Sequence, residues 1–74
     1  MAVREPMKVR ILRFISDYQV RTGFTPSVRE IGAEVGLVST SSVAAQLRGM
    51  ECDGLIRRGK GPRMIKVLVE PPER

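Results

Sequence analysis

Apolar residues recur at helical spacing in the first third of this chain. Five apolar or aromatic residues share one side of the predicted helix: Met7, Ile11, Phe14, Ile15 and Tyr18. Pro6 suits the first helical turn, where its missing N–H costs nothing, and Gly23 is a natural residue just past a helix end. We therefore predict a helix from Pro6 to Thr22, with Val9, Arg13 and Gln19 outside its apolar stripe, where they can contact water.

The next two helices are short and are joined by a tight turn at Gly36. Ser27 and Glu30 have the spacing of a capping box, in which each side chain bonds the other's backbone N–H at a helix start. Ile31 and Val35 form the buried side of this second helix. Two short helices with a glycine turn between them predict a helix-turn-helix.

The third helix is apolar on one side only. Ser39 or Thr40 is its expected N-cap. Three apolar residues at i, i+4 and i+7 face inward: Val43, Leu47 and Met50. The outward face has small side chains near the helix start and one long donor further along: Ser41, Ala45 and Arg48, flanked by Ser42, Ala44 and Gln46. A solvent-facing helix would typically carry Glu and Lys here, whereas this pattern is typical of a helix that reads base edges in the DNA major groove.

Beyond Gly54 the apolar period changes to that of strands. Residues 55–58 and 63–69 predict two strands joined by a turn at 59–62, with Ile65, Val67 and Val69 on one face of the second strand. Five cations fall in this hairpin with no acid among them: Arg57, Arg58, Lys60, Arg63 and Lys66. They account for the whole net charge of +5, which favours a phosphate-facing patch; the alternative is a solvated hairpin kept basic for solubility.

Length and composition narrow the class of protein. The 74 residues, 42% of them hydrophobic, suit one small domain, which we place at residues 1–70 with 71–74 as a tail or linker stump. The chain has no His, one Cys (Cys52), and no visible nucleophile–base pair or metal cluster. We therefore expect no enzyme activity, no cofactor and no metal, and a cytoplasmic protein associated with the nucleoid rather than a membrane. The predicted fold is mainly α with a small β-hairpin, a three-helix winged helix-turn-helix.

The order and spacing of these motifs resemble the DNA-binding domain of the LexA repressors of the bacterial SOS response. The resemblance covers nearly the whole chain and is carried by residues 22–31, 36–43, 46–48, 54–58 and 62–63. It implies a recognition helix in the major groove that contacts DNA through seven residues: Ser39, Thr40, Ser41, Ser42, Ala44, Ala45 and Arg48. It also implies that the wing, with its five cations, contacts the DNA backbone. The N-terminus of the second helix, at Ser27 and Arg29, favours a weaker phosphate contact; the alternative, which we prefer for the capping box, is a purely structural role.

The details of the resemblance have further consequences. The run 39–43 is similar to the Gram-positive and actinobacterial branch, which implies an inverted-repeat operator with GAAC-like half-sites. Cys52 and Asp53 stand where the family usually has basic residues, and the turn after Gly59 is shorter than usual. The resemblance does not extend to the family's self-cleaving peptidase domain, so self-cleavage is not expected here. The chain is either an excised domain or a small free-standing protein, paired on DNA as a homodimer or through a partner protein.

Two functions remain open at this point. The first is sequence-specific binding of double-stranded DNA by a LexA-like transcriptional repressor or regulator. The second is a winged-helix protein-interaction module without DNA-binding activity, because one fold hosts many functions. The polar outward face of the third helix and the basic hairpin favour the first.

Overall fold

The computed structural model describes residues 5–59 and 64–71, and within them three helices precede a two-stranded antiparallel sheet. The elements in chain order are α1 (Met7–Thr22), α2 (Val28–Val35), α3 (Thr40–Cys52), β1 (Ile56–Arg58) and β2 (Ile65–Val67). The predicted fold class is confirmed. Residues 60–62 of the predicted turn, residue 63 of the second predicted strand and residues 72–74 of the predicted tail lie outside the described residues.

The starts of α1 and α2 follow from local chemistry. Pro6 is the N-cap of α1 rather than its first residue, and its carbonyl oxygen accepts from the N–H groups of Val9 and Arg10 at 3.1 Å. At α2 the predicted capping box is present: the Glu30 N–H donates to Ser27 Oγ at 3.1 Å, and the Ser27 N–H donates to Glu30 Oε1 at 3.0 Å. The box satisfies two N–H groups that a helix start leaves without partners.

All five elements contribute to one core. Its ten apolar members are Ile11, Leu12, Ile15, Ile31, Val35, Val43, Leu47, Met50, Ile56 and Ile65. The inward faces predicted for α2 and α3 are confirmed. The sheet joins the core through one isoleucine of each strand, so the two strands pack against the helices.

Arg13 and Gln19 do not lie in water as the sequence predicts. Arg13 is only 8% exposed and donates a hydrogen bond to the Glu5 carboxylate, which raises the pKa of Arg13 above its usual value. Gln19 is half-buried and its Nε2 donates to Thr25 Oγ1 at 3.1 Å and to the Ile65 carbonyl oxygen at 2.9 Å. Long polar side chains reach partners on other segments, and a helical period carries no information about those partners.

The two strands are shorter than predicted. They pair in the register Ile56↔Val67, Arg57↔Lys66 and Arg58↔Ile65. The sequence predicts that the second strand runs to Val69, whereas β2 ends at Val67 and Val69 is 42% exposed. Backbone hydrogen bonds continue just beyond the strands, from the Gly59 N–H to the Met64 carbonyl oxygen at 2.8 Å and from the Leu68 N–H to the Leu55 carbonyl oxygen at 2.9 Å.

Candidate nucleic-acid interface

A tight turn between α2 and α3 fixes how α3 is presented. Gly36 ends α2 with φ +81°, a conformation that favours glycine. Gly32, one turn earlier, lies so close to the turn that a Cβ there would be 2.6 Å from the Leu37 carbonyl oxygen and 3.2 Å from Val43 Cγ2. The Leu37 N–H also donates to the Gly32 carbonyl oxygen at 2.8 Å. The backbone of the turn is therefore held against Gly32 of α2, and the Val43 side chain packs α3 against the same glycine.

The outer side of α3 is a surface of small and polar side chains. Six of the seven predicted recognition residues are exposed: Ser39, Thr40, Ser41, Ser42, Ala45 and Arg48. Ala44, the seventh, is half-buried, as is Gln46. The opposite side carries the buried Val43, Leu47 and Met50. Because these side chains are short, another molecule can approach the helix backbone closely along this side.

The N-terminal end of α3 is electropositive in character. Ser39 is the N-cap, with an extended backbone, and its side chain makes no capping hydrogen bond. The first turn of α3 carries no acidic residue. The backbone N–H groups and the positive end of the helix dipole are therefore not offset there by a carboxylate, which favours an anion such as a phosphate.

The described part of the hairpin presents two cations side by side. Arg57 and Lys66 are paired across the strands and both are exposed. Like charges directly opposite each other destabilise a sheet, so an anion bridging them would relieve their repulsion. Arg58 lies on the other side of the sheet with Ile65 and is half-buried. Lys60 and Arg63 lie outside the described residues.

The first turn of α2 contributes less directly to this candidate interface than α3 and the hairpin do. Ser27 is half-buried and its hydroxyl oxygen accepts the capping hydrogen bond, which leaves the hydroxyl proton and one lone pair for another partner. Arg29 is exposed and lines a groove of about 560 Å³ with Ser39 and Thr40. The groove connects the first turn of α2 with the first turn of α3.

Two exposed residues on this surface were not predicted as part of it. Val38 precedes the N-cap of α3, lines the same groove, and its side chain is fully exposed. Cys52 is exposed in the last turn of α3. It continues the spacing of Ala45 and Arg48 by i+7 and i+4, so helical periodicity alone would have placed it on the outward face.

Metal-binding clusters, membrane-spanning helices and the arrangement of the elements bear on the class of protein to which the chain belongs. Residues 5–59 and 64–71 bring no three His, Cys, Asp or Glu side chains together as a metal site. None of the helices in these residues has both the length and the apolarity to cross a membrane. A tight helix-turn-helix whose second helix exposes a polar side with no acidic residue from Thr40 to Met50, followed by a basic hairpin, defines a winged helix-turn-helix domain.

Comparison with known proteins gives the family. The family model for the LexA DNA-binding domain matches residues 6–63, so the chain belongs to this family. LexA repressor 1 of Nocardia farcinica is 56% identical over 52 residues, which are 70% of this chain and 24% of that protein. The LexA repressor of Clostridium novyi is 47% identical over 68 residues, or 90% of this chain and 33% of that protein.

A third relative is the LexA repressor of Frankia casuarinae, 51% identical over 69 residues, or 90% of this chain and 27% of that protein. The chain thus spans a third or less of the length of these curated relatives. These matches favour the DNA-binding prediction over a protein-interaction module.

Proposed function

We propose that this chain is a sequence-specific double-stranded DNA-binding domain that represses transcription. The observation that carries the proposal is the exposed, acid-free side of α3, locked in place beside a hairpin with paired cations. Both features suit a polyanion: one offers hydrogen-bonding and methyl groups to base edges, the other offers charge to phosphates. The proposal assigns binding, not catalysis, to the chain and expects it on the nucleoid.

The role proposed for α3 is direct reading of bases in the major groove. The Ser and Thr hydroxyls can donate to or accept from base edges, and the Ala45 methyl can contact a thymine methyl. Arg48, three residues beyond Ala45 on the exposed side, is long enough to reach a guanine or a phosphate. A longer side chain at position 45 would hold the helix away from the groove.

The role proposed for the hairpin is attachment to the DNA backbone. Arg57 and Lys66 would each neutralise a phosphate, and the sequence adds Arg58, Lys60 and Arg63 to the same wing. Such contacts position the protein on the duplex without reading its sequence. Arg29 and the N-terminus of α2 would contribute a further, weaker phosphate contact.

Two copies on an inverted repeat are the proposed binding state. One helix-turn-helix module buries limited area, so a single copy is expected to bind weakly at physiological salt. Two copies on half-sites about one helical turn, or a multiple of it, apart would place both α3 helices on the same side of the duplex. A homodimer or a partner protein would supply the second copy.

Selection of bound duplexes from a random pool tests the proposal. We expect an enriched inverted repeat with GAAC-like half-sites. Ala45→Gln should lose preference for that sequence while keeping its affinity for random DNA. Failure of the unsubstituted chain to enrich any sequence would remove the proposed specificity, and enrichment unchanged by Ala45→Gln would remove the role of α3.

A further inference from the structure

An ion pair joins the beginning of α1 to the end of α3. Lys8 Nζ lies 2.9 Å from Asp53 Oδ2, and these residues are 45 positions apart in the chain. Their side chains are 40% and 51% exposed. Asp53 is the C-cap residue of α3. The pair therefore sits at the protein surface, at the end of the helix proposed to read DNA.

Gly49 allows Lys8 to lie directly on α3. A Cβ at position 49 would be 3.1 Å from both Cε and Nζ of Lys8. Gly49 directly follows Arg48 and is four residues beyond Ala45, so it shares the side of the helix that carries Ala45. The ammonium group of Lys8 is thus held at the border of the surface formed by the recognition residues.

The local charges explain why Lys8 is held there. The last turn of α3 has no basic residue of its own, and the carboxylate of Asp53 follows it. A carboxylate at the negative end of a helix dipole is unfavourable unless a cation lies nearby. Lys8 supplies that cation from another helix. An exposed pair of this kind is worth little in stability, so a competing phosphate could replace the carboxylate.

We propose that Asp53 withholds the Lys8 ammonium from the DNA backbone and thereby lowers the affinity of this domain for DNA of any sequence. The inference rests on the proposed function, since it concerns the same interface. A cation paired within the protein releases no counterion from DNA when the two associate. Because a phosphate contact carries no sequence information, releasing Lys8 would raise the affinity for the specific and the random duplex by about the same factor.

Asp53→Asn, with and without Lys8→Ala, tests this directly. The probes are a random-sequence duplex about three helical turns long and a duplex recovered from the selection, titrated from about 50 to 200 mM salt. We expect Asp53→Asn to bind the random duplex about threefold to fivefold more tightly near 0.1 M salt, with a steeper salt slope, because an exposed carboxylate competes with a phosphate by no more than the strength of its own ion pair. In the Lys8→Ala background the same substitution should change affinity by less than about twofold, because only screened repulsion is removed.

Glu51→Gln is the matched control, because it removes one exposed carboxylate from the same turn of α3. We expect it to change affinity by less than about twofold. Equal gains from Asp53→Asn in both backgrounds, or from Glu51→Gln, would show general repulsion and overturn the inference. If Asp53→Asn gave no gain in affinity, the inference would be overturned but the proposed function would stand. If the unsubstituted chain did not bind DNA at all, the proposed function would be overturned as well. Thermal unfolding of each variant checks that its fold is intact.

Discussion

The close approach of Gly32 to the turn after α2 makes Gly32→Ala a sharp test of how α3 is held. The added Cβ would lie 2.6 Å from the Leu37 carbonyl oxygen, a backbone atom. The Leu37 N–H is itself bonded to the Gly32 carbonyl oxygen at 2.8 Å, so the turn cannot retreat without breaking that bond. Overpacking costs about 1–3 kcal/mol, and a clash with a backbone atom falls in the upper part of that range, about 2–3 kcal/mol, against about 1 kcal/mol gained from the better helix propensity of Ala.

We therefore expect Gly32→Ala to lower the free energy of unfolding by about 1–2 kcal/mol. In a domain of this size each kcal/mol shifts the Tm by about 4–8 °C. Gly49→Ala is the matched control, because the same substitution in α3 meets only the flexible end of Lys8, at 3.1 Å. There the propensity gain of about 1 kcal/mol is opposed only by displacement of an exposed ion pair worth about 0–1 kcal/mol.

Thermal and urea unfolding followed by circular dichroism measure both variants against the unsubstituted chain. The expected order of stability places Gly32→Ala below the other two, with Gly49→Ala at or slightly above the unsubstituted chain. If Gly32→Ala were as stable as the unsubstituted chain, or if both variants lost stability equally, backbone contact at the turn would not be what fixes α3.

Three other predictions concern the wing, α3 and α2. Arg57→Ala should weaken binding to specific and random duplexes alike and reduce the salt slope by about one unit. Arg10→Ala, which removes the same charge from the exposed side of α1, should leave the salt slope unchanged. If the two variants had equal salt slopes, the wing would not contact DNA. Alkylation of Cys52 by a maleimide should slow when a selected duplex is added and recover at high salt, and an unchanged rate would exclude the end of α3 from the interface. Ser27→Ala removes the hydroxyl half of the capping box and should cost about 1 kcal/mol in thermal unfolding; an unchanged Tm would mean that the cap contributes nothing.

The elements that could be predicted from the sequence are those set by local rules. The inward residues of α3, the capping box at Ser27 and the glycine that ends α2 depend on chemistry within about one helical turn. The identity of the exposed side of α3 follows from the same period, and Cys52 could have been assigned to it on that basis. The roles of these residues at DNA remain predictions.

Only the tertiary structure decided which side chains contact residues of other helices, strands or connecting segments. Arg13 is buried by its bond to Glu5, Gln19 is half-buried by bonds that include the carbonyl of β2, and Lys8 lies over Gly49 to reach Asp53. Helical periodicity assigns a side to each residue but names no partner on another element. Those partners are fixed when the common core sets the distances between helices and sheet, which is why a single sequence determined the surface of α3 but not the contacts that hold it in place.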